Sequence, residues 1–255
     1  MGVEVPPGES DFPGPRAPLL GCARWLCGRS SVLDAESVQA AVLAAAGDVQ
    51  SLMNHLGLAA RSAPAAKFGF ETDLRAFLRR ALQFGQPELV SVEAPLGASG
   101  ILSQPTDVVV SARSKVPQLA VELQWHPRGE DHVGFANVVV ADLLKMAVAR
   151  TKNAVEQGVV LVTAPTRFWR WLPGYAEDRF GYELLIPNPD APVSAKSEFL
   201  AGGTWDFLFD AGLDRDLPDR LWASLLASTE VRSPWADLEM HLLDVKGLGT
   251  VQAVR

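Results

Sequence analysis

In the stretch PTDVVVSARSKVPQLAVELQWHP, residues 105 to 127, two apolar, β-branched runs each carry an acid where a buried strand ordinarily has none. Asp107 opens TDVVVSA and Glu122 sits inside LAVELQW. Successive strand side chains point to opposite faces, so Glu122 and Gln124 share one face while Val121, Leu123 and Trp125 share the other. A buried carboxylate is costly without a partner, and no Arg or Lys occupies the matching alternate positions. A divalent cation meets that cost: Asp107 and Glu122, with 14 residues between them, can converge at one end of adjacent strands and offer oxygens to Mg²⁺. The Leu123 carbonyl would be a third ligand.

The flanking residues predict the elements that would hold these groups. Val38, Ala41, Val42 and Ala45, then Val49, Leu52, Met53 and Leu56, have helical spacing, with Gly47 and Asp48 as stop and restart, which predicts an α-hairpin. FETDLRAFLRRALQ follows with an apolar stripe of Leu74, Phe77, Leu78, Ala81 and Leu82 and with Glu71 at its start. ELVSVEAPL, TDVVVSA and QLAVELQW then have the composition of three neighbouring strands. GFANVVVADLLKMAVARTKNAVEQG is a long helical pattern ending at Gly158, and VVLVTAP suits a fully buried strand. Helix, three strands, helix, strand implies an α/β sandwich with a crossover helix. Past Pro165, GYELLIP and WDFLFDAG fit strands, whereas LPDRLWASLLAS and SPWADLEMHLLD fit helices, the latter with Ser233 as N-cap and Pro234 at its first position. The expected organisation is a disordered tail over 1–17, a helical hairpin over 18–66, an α/β core over 67–186 and a mixed C-terminal lobe packed on it over 187–255.

Pro105-Thr106-Asp107, a spacer, and Glu122-Leu123-Gln124 after an apolar half-strand resemble the PD-(D/E)XK, or restriction-endonuclease-like, nuclease superfamily, in particular members with glutamine in place of the motif lysine. The resemblance covers about Phe68 to Pro165 and includes the order of elements. It implies a mixed sheet flanked by helices and Mg²⁺-dependent phosphodiester hydrolysis of nucleic acid, with DNA the expected substrate and Mn²⁺ an alternative metal. In that scheme Asp107 and Glu122 hold the ion, Gln124 orients the attacking water, and Glu71 is an outer ligand or positions a second metal. A neutral amide at Gln124 supplies no charge; Lys145 on the following helix would substitute if its face turns to the site. A homodimer is expected by analogy with restriction enzymes.

Blander readings compete at each position. Asp107 after a proline also suits a strand entrance, and a solvent-facing edge strand would alternate Glu122 and Gln124 with apolar residues without any metal. Glu71, Asp73, Arg75 and Arg79, and likewise Lys145, Lys152 and Glu156, fit solvated helix faces. In TRFWRWLPGY, Arg167 and Arg170 interleave with Phe168, Trp169 and Trp171, which suits stacking on bases beside phosphate contacts but equally suits core aromatics. His126, Glu130, Asp131 and His132 fall in one polar loop after the acids. A catalytically inactive member of the same fold that binds protein or nucleic acid is the alternative function.

Composition narrows the rest. With 255 residues, 48% of them hydrophobic, the chain can build a substantial core. The Pro- and Gly-rich opening has no apolar segment behind a basic start, and NVVVADLLKMAVA is interrupted by Asp142 and Lys145, so a cytoplasmic protein without a membrane partner is expected. Two cysteines, Cys22 and Cys27, are too few for a zinc site. A net charge of −7 disfavours nucleic-acid binding by bulk electrostatics, so phosphate contacts would have to be local.

Overall fold

A computed structural model describes residues 35–59, 70–83, 89–98, 100–111, 115–126, 132–180, 182–183, 193–196, 216–232 and 237–253. The tail over 1–17, the whole of WDFLFDAG and the predicted cap residues Ser233 and Pro234 therefore lie outside the described residues. Helix α1 spans Ala35–Ala59 and α2 spans Glu71–Leu82. Strands β1 (Val90–Pro95), β2 (Pro105–Val110) and β3 (Leu119–Trp125) follow, with a 3-10 turn over Gly100–Ser103. Helix α3 (His132–Thr151) leads to β4 (Gln157–Pro165), and α4 (Thr166–Phe180) to the short β5 (Tyr182–Glu183) and β6 (Val193–Lys196). Two long strands, β7 (Asp216–Arg232) and β8 (Asp237–Ala253), complete the chain.

The fold is mixed α/β. Among the described residues eight strands join one sheet in the order β1-β2-β3-β4-β8-β7-β6-β5. Its one parallel pair is β3 with β4, joined through α3 as a crossover; a parallel pair needs such a long connection. Helices cover both faces. On one, α1 and α2 pack over Val108, Val121, Leu123, Trp125, Val159 and Leu161; on the other, α3 and α4 pack over Ala120, Val160, Val162, Ala164 and Leu243. Sandwiched this way, β4 is buried along both faces, which explains its unbroken apolar run. By length and composition α3 could cross a membrane, but the same properties mark a core helix, and most of its residues from Val139 to Ala149 are buried.

Several expectations are corrected. The predicted hairpin is, over residues 35–59, one uninterrupted helix. Val38, Val42, Ala45, Val49 and Met53 form a single buried stripe that runs past Gly47, and this burial outweighs the roughly 1 kcal/mol propensity cost of one glycine. The predicted stop at Gly158 lies instead within β4, after α3 has ended at Thr151. A Cβ on Gly158 would stand 3.1 Å from Met146 Cβ, so the glycine's role is the close approach of α3 to the sheet.

The two helices predicted near the C-terminus are β7 and β8, which flank residues 233–236. Leu- and Ala-rich composition favours helix locally, but pairing with β4 decides the outcome: Leu238, Met240 and Leu242 fill one core while Leu243 and Val245 fill the other. β7 and β8 thus continue the central sheet.

Continuity of α1 makes a direct prediction. Nothing lies within 4 Å of a Cβ built on Gly47. Gly47→Ala should therefore stabilise the protein by about 0.5–1 kcal/mol, read from the midpoint of urea unfolding. A destabilised variant would indicate a turn at that position.

Candidate functional site

The site forms where β2 and β3 part. Backbone pairing between them ends at Val108 opposite Val121, one residue short of Asp107 and Glu122. From there the acids take over the bonding: Leu123 N–H donates to Asp107 Oδ2 at 2.8 Å, and Asp107 N–H makes a long 3.4 Å contact to Glu122 Oε2. On the other side, β1 pairs Val92 with Val108 and Ala94 with Thr106, which sets Glu93 level with Asp107. Glu93 has φ 52°, a left-handed conformation uncommon for a residue with a side chain. Three acids thus stand at one level across three neighbouring strands.

Each flanking helix contributes one cation. Lys145 of α3 forms an ion pair with Glu122 Oε1 and donates to the Pro105 carbonyl at 2.8 Å. Lys145 and Glu122 are 3% and 5% exposed, so the pair belongs to the interior. The prediction of a solvated stripe is corrected at Lys145, which lies in the buried stretch of α3 from Val139 to Ala149, whereas Lys152 and Glu156 are exposed. Asp142, one turn earlier on α3, accepts a 2.7 Å bond from the Gln124 amide nitrogen. Glu122 and Gln124 therefore share the face toward α3, as strand alternation requires.

On α2, Arg75 joins three carboxylates: it lies 2.6 Å from Asp107 Oδ1, 2.5 Å from Glu93 and 3.3 Å from Glu71. The predicted solvated face of α2 accordingly turns Glu71 and Arg75 to the site.

Electrostatics follow from burial. Glu122 is raised from the ordinary 4.5 to about 7, chiefly because burial disfavours its charged form more than Lys145 restores it, with Asp107 pushing the same way. Burial likewise raises Asp142, reinforced by Glu122, and raises Glu71, reinforced by Asp107. These directions share burial as their first cause, with repulsion from a neighbouring carboxylate adding to it in each case. Among the described residues no three His, Cys, Asp or Glu side chains are already gathered in a metal-ligating geometry. The oxygens of Asp107 and Glu122 instead meet Arg75, Lys145 and backbone N–H groups.

Other candidates lie apart. Arg167 and Arg170 are exposed on α4, and Arg170 lines a surface cavity of about 490 Å³ with Thr166, Glu230, Arg232, Leu238 and Glu239. Trp169 is buried, its ring stacked 4.0 Å from the buried His241 and its Nε1 donating to the Glu239 carbonyl at 3.2 Å, so it has no free face for a base. His126 and His132 contact each other at 2.7 Å within a cluster that includes Phe135 and Phe168; Glu130 and Asp131 lie outside the described residues. The sequence reading missed Glu93, Arg75 and Asp142 as site residues. Asp142 and Lys145, polar and three apart inside an apolar helix, were a usable signal; the backbone of Glu93 left none.

The raised Glu122 predicts a pH dependence. A group whose folded pKa exceeds its unfolded value contributes stability that is complete below 4.5 and lost as pH rises through about 7. Wild type should lose up to about 3 kcal/mol relative to Glu122→Gln between about pH 4.5 and pH 8, measured by urea unfolding across that range. Parallel stability profiles would contradict the raised value. No protein-family model, curated protein or solved structure matches this chain, so its own residues carry the functional reading.

Proposed function

We propose that this site is a divalent-cation centre for phosphodiester hydrolysis of nucleic acid, with DNA endonuclease the favoured activity, on a restriction-endonuclease-like core. The single observation that carries the reading is Lys145: it brings an ammonium group to the Glu122 carboxylate although Gln124 stands where the motif has lysine. The order α2, β1, β2, β3, α3, β4, with two antiparallel pairs followed by one parallel pair, supports the same core.

The donor set fits Mg²⁺ or Mn²⁺. Both are hard cations that prefer oxygen ligands, and five carboxylates, Glu71, Glu93, Asp107, Glu122 and Asp142, against the two cations Arg75 and Lys145 leave negative charge for an ion to offset. Asp107 and Glu122 would hold it, with the Leu123 main chain beside Asp107 and Glu71 behind Arg75. Such an ion supplies Lewis-acid stabilisation of a phosphoryl oxygen and acidifies water. The ammonium of Lys145 would stabilise negative charge developing near Glu122. Gln124 has its amide nitrogen committed to Asp142, leaving its carbonyl oxygen to orient a water by accepting a hydrogen bond from it. Arg167 and Arg170 are candidate phosphate contacts, while the burial of Trp169 removes it from that role. The proposal includes a homodimer, by analogy with restriction enzymes, and a cytoplasmic location.

A catalytically inactive protein- or nucleic-acid-binding module is the second reading. It is favoured by the protein donors that already meet the oxygens of both Asp107 and Glu122.

Conversion of supercoiled plasmid in Mg²⁺ or Mn²⁺ tests the two. Nuclease action predicts cleavage abolished by chelation, by Asp107→Ala and by Glu122→Gln, and reduced about 10²–10³-fold in Lys145→Met. Absence of cleavage of double- and single-stranded DNA and of RNA with either metal, alongside nucleic-acid binding that survives Asp107→Ala, would select the binding module.

A further inference from the structure

We infer that Arg75 is the protein's own occupant of the cation position: its guanidinium holds the Asp107 oxygen a divalent ion needs and must yield it, retaining Glu71 and Glu93, before that ion binds. The inference rests on reading the site as a divalent-cation centre.

The two oxygens of Asp107 are held differently. Oδ2 accepts the Leu123 N–H at 2.8 Å, a bond that ties β2 to β3 just beyond the end of their backbone pairing. Giving it up would leave a buried strand N–H without its acceptor. Oδ1 is held by Arg75 at 2.6 Å and is the oxygen that can be released at lower cost.

Release does not strand the guanidinium. The nitrogen that meets Asp107 is already 3.3 Å from Glu71, and the other terminal nitrogen is 2.5 Å from Glu93. The Glu93 side chain is 65% exposed and can follow a moving partner. Arg75 Nε is buried without a hydrogen-bond partner, so the outer nitrogens alone fix the guanidinium.

Simultaneous occupancy is electrostatically unfavourable. A metal at the usual distance of about 2.1 Å from Oδ1 would lie close to the guanidinium, placing two cations on one oxygen. Without metal, Arg75 limits repulsion among Glu71, Glu93 and Asp107; with metal, its charge competes.

Calorimetric titration of Mn²⁺ into the full chain, without nucleic acid, tests this for wild type, Arg75→Met and Arg75→Lys. Arg75→Met should bind Mn²⁺ about 10-fold tighter than wild type, with Arg75→Lys between them. If loss of the arginine prevents folding, Arg75→Lys and a crystal structure of the Mn²⁺-loaded wild type still decide the matter. In that structure Asp107 Oδ1 should contact the metal, and Arg75 should be beyond hydrogen-bond reach of it while still paired with Glu71 or Glu93. Mn²⁺ binding by wild type that is unchanged or weakened in Arg75→Met, or a loaded structure with Arg75 still on Oδ1, overturns the role of Arg75 and leaves the cation centre standing. No Mn²⁺ uptake by any of the three overturns the cation centre and this inference with it.

Discussion

The buried contact between Glu122 and Lys145 is the constraint around which this half of the molecule is arranged. Either charge alone in that position would face a desolvation penalty of several kcal/mol, and removing one member of such a pair is among the more damaging single changes a core can suffer. The pair is possible only because α3 lies against the sheet with Lys145 over β3. That position is held by the apolar residues on either side of Lys145 and by the close approach that Gly158 permits. The chemistry of the site is therefore secured by the packing of a helix whose other residues are almost entirely apolar.

The strands contribute a defect that the charges exploit. Where β2 and β3 cease to pair, backbone groups lose their regular partners, and a carboxylate is well suited to accept the orphaned Leu123 N–H. One helix then brings Lys145 and Asp142 to Glu122 and Gln124, while the other brings Arg75 and Glu71 to Asp107. The arrangement is nearly self-satisfied, yet it keeps more carboxylates than cations and raises three of them. That excess of negative charge is what the proposed divalent ion would offset.

Where the sequence reading erred, the error has one physical origin. Gly47 and the Leu-rich C-terminal segments were judged from local propensity, which amounts to about 1 kcal/mol per residue or less. Each outcome was decided by long-range burial: a continuous apolar stripe in α1, and pairing of β8 with β4 followed by β7 with β8. The strands themselves offer Glu122 and Asp107 no counter-charge, and the protein draws both from helices, Lys145 to Glu122 and Arg75 to Asp107.

The sequence by itself determined α2, the three strands β1 to β3, the crossover helix and β4, because α2 has a helical apolar stripe, the strands are short β-branched runs set apart by loop residues, and α3 and β4 are long and short apolar runs respectively. It also determined that Glu122 and Gln124 share a face, since strand alternation is local geometry. Only the tertiary structure decided that Lys145 lies inside rather than outside, that Arg75 crosses to Asp107, and that Glu93 stands level with them in a left-handed backbone. Those facts depend on which helix face meets which end of the sheet, and contacts between residues distant in the chain set that geometry.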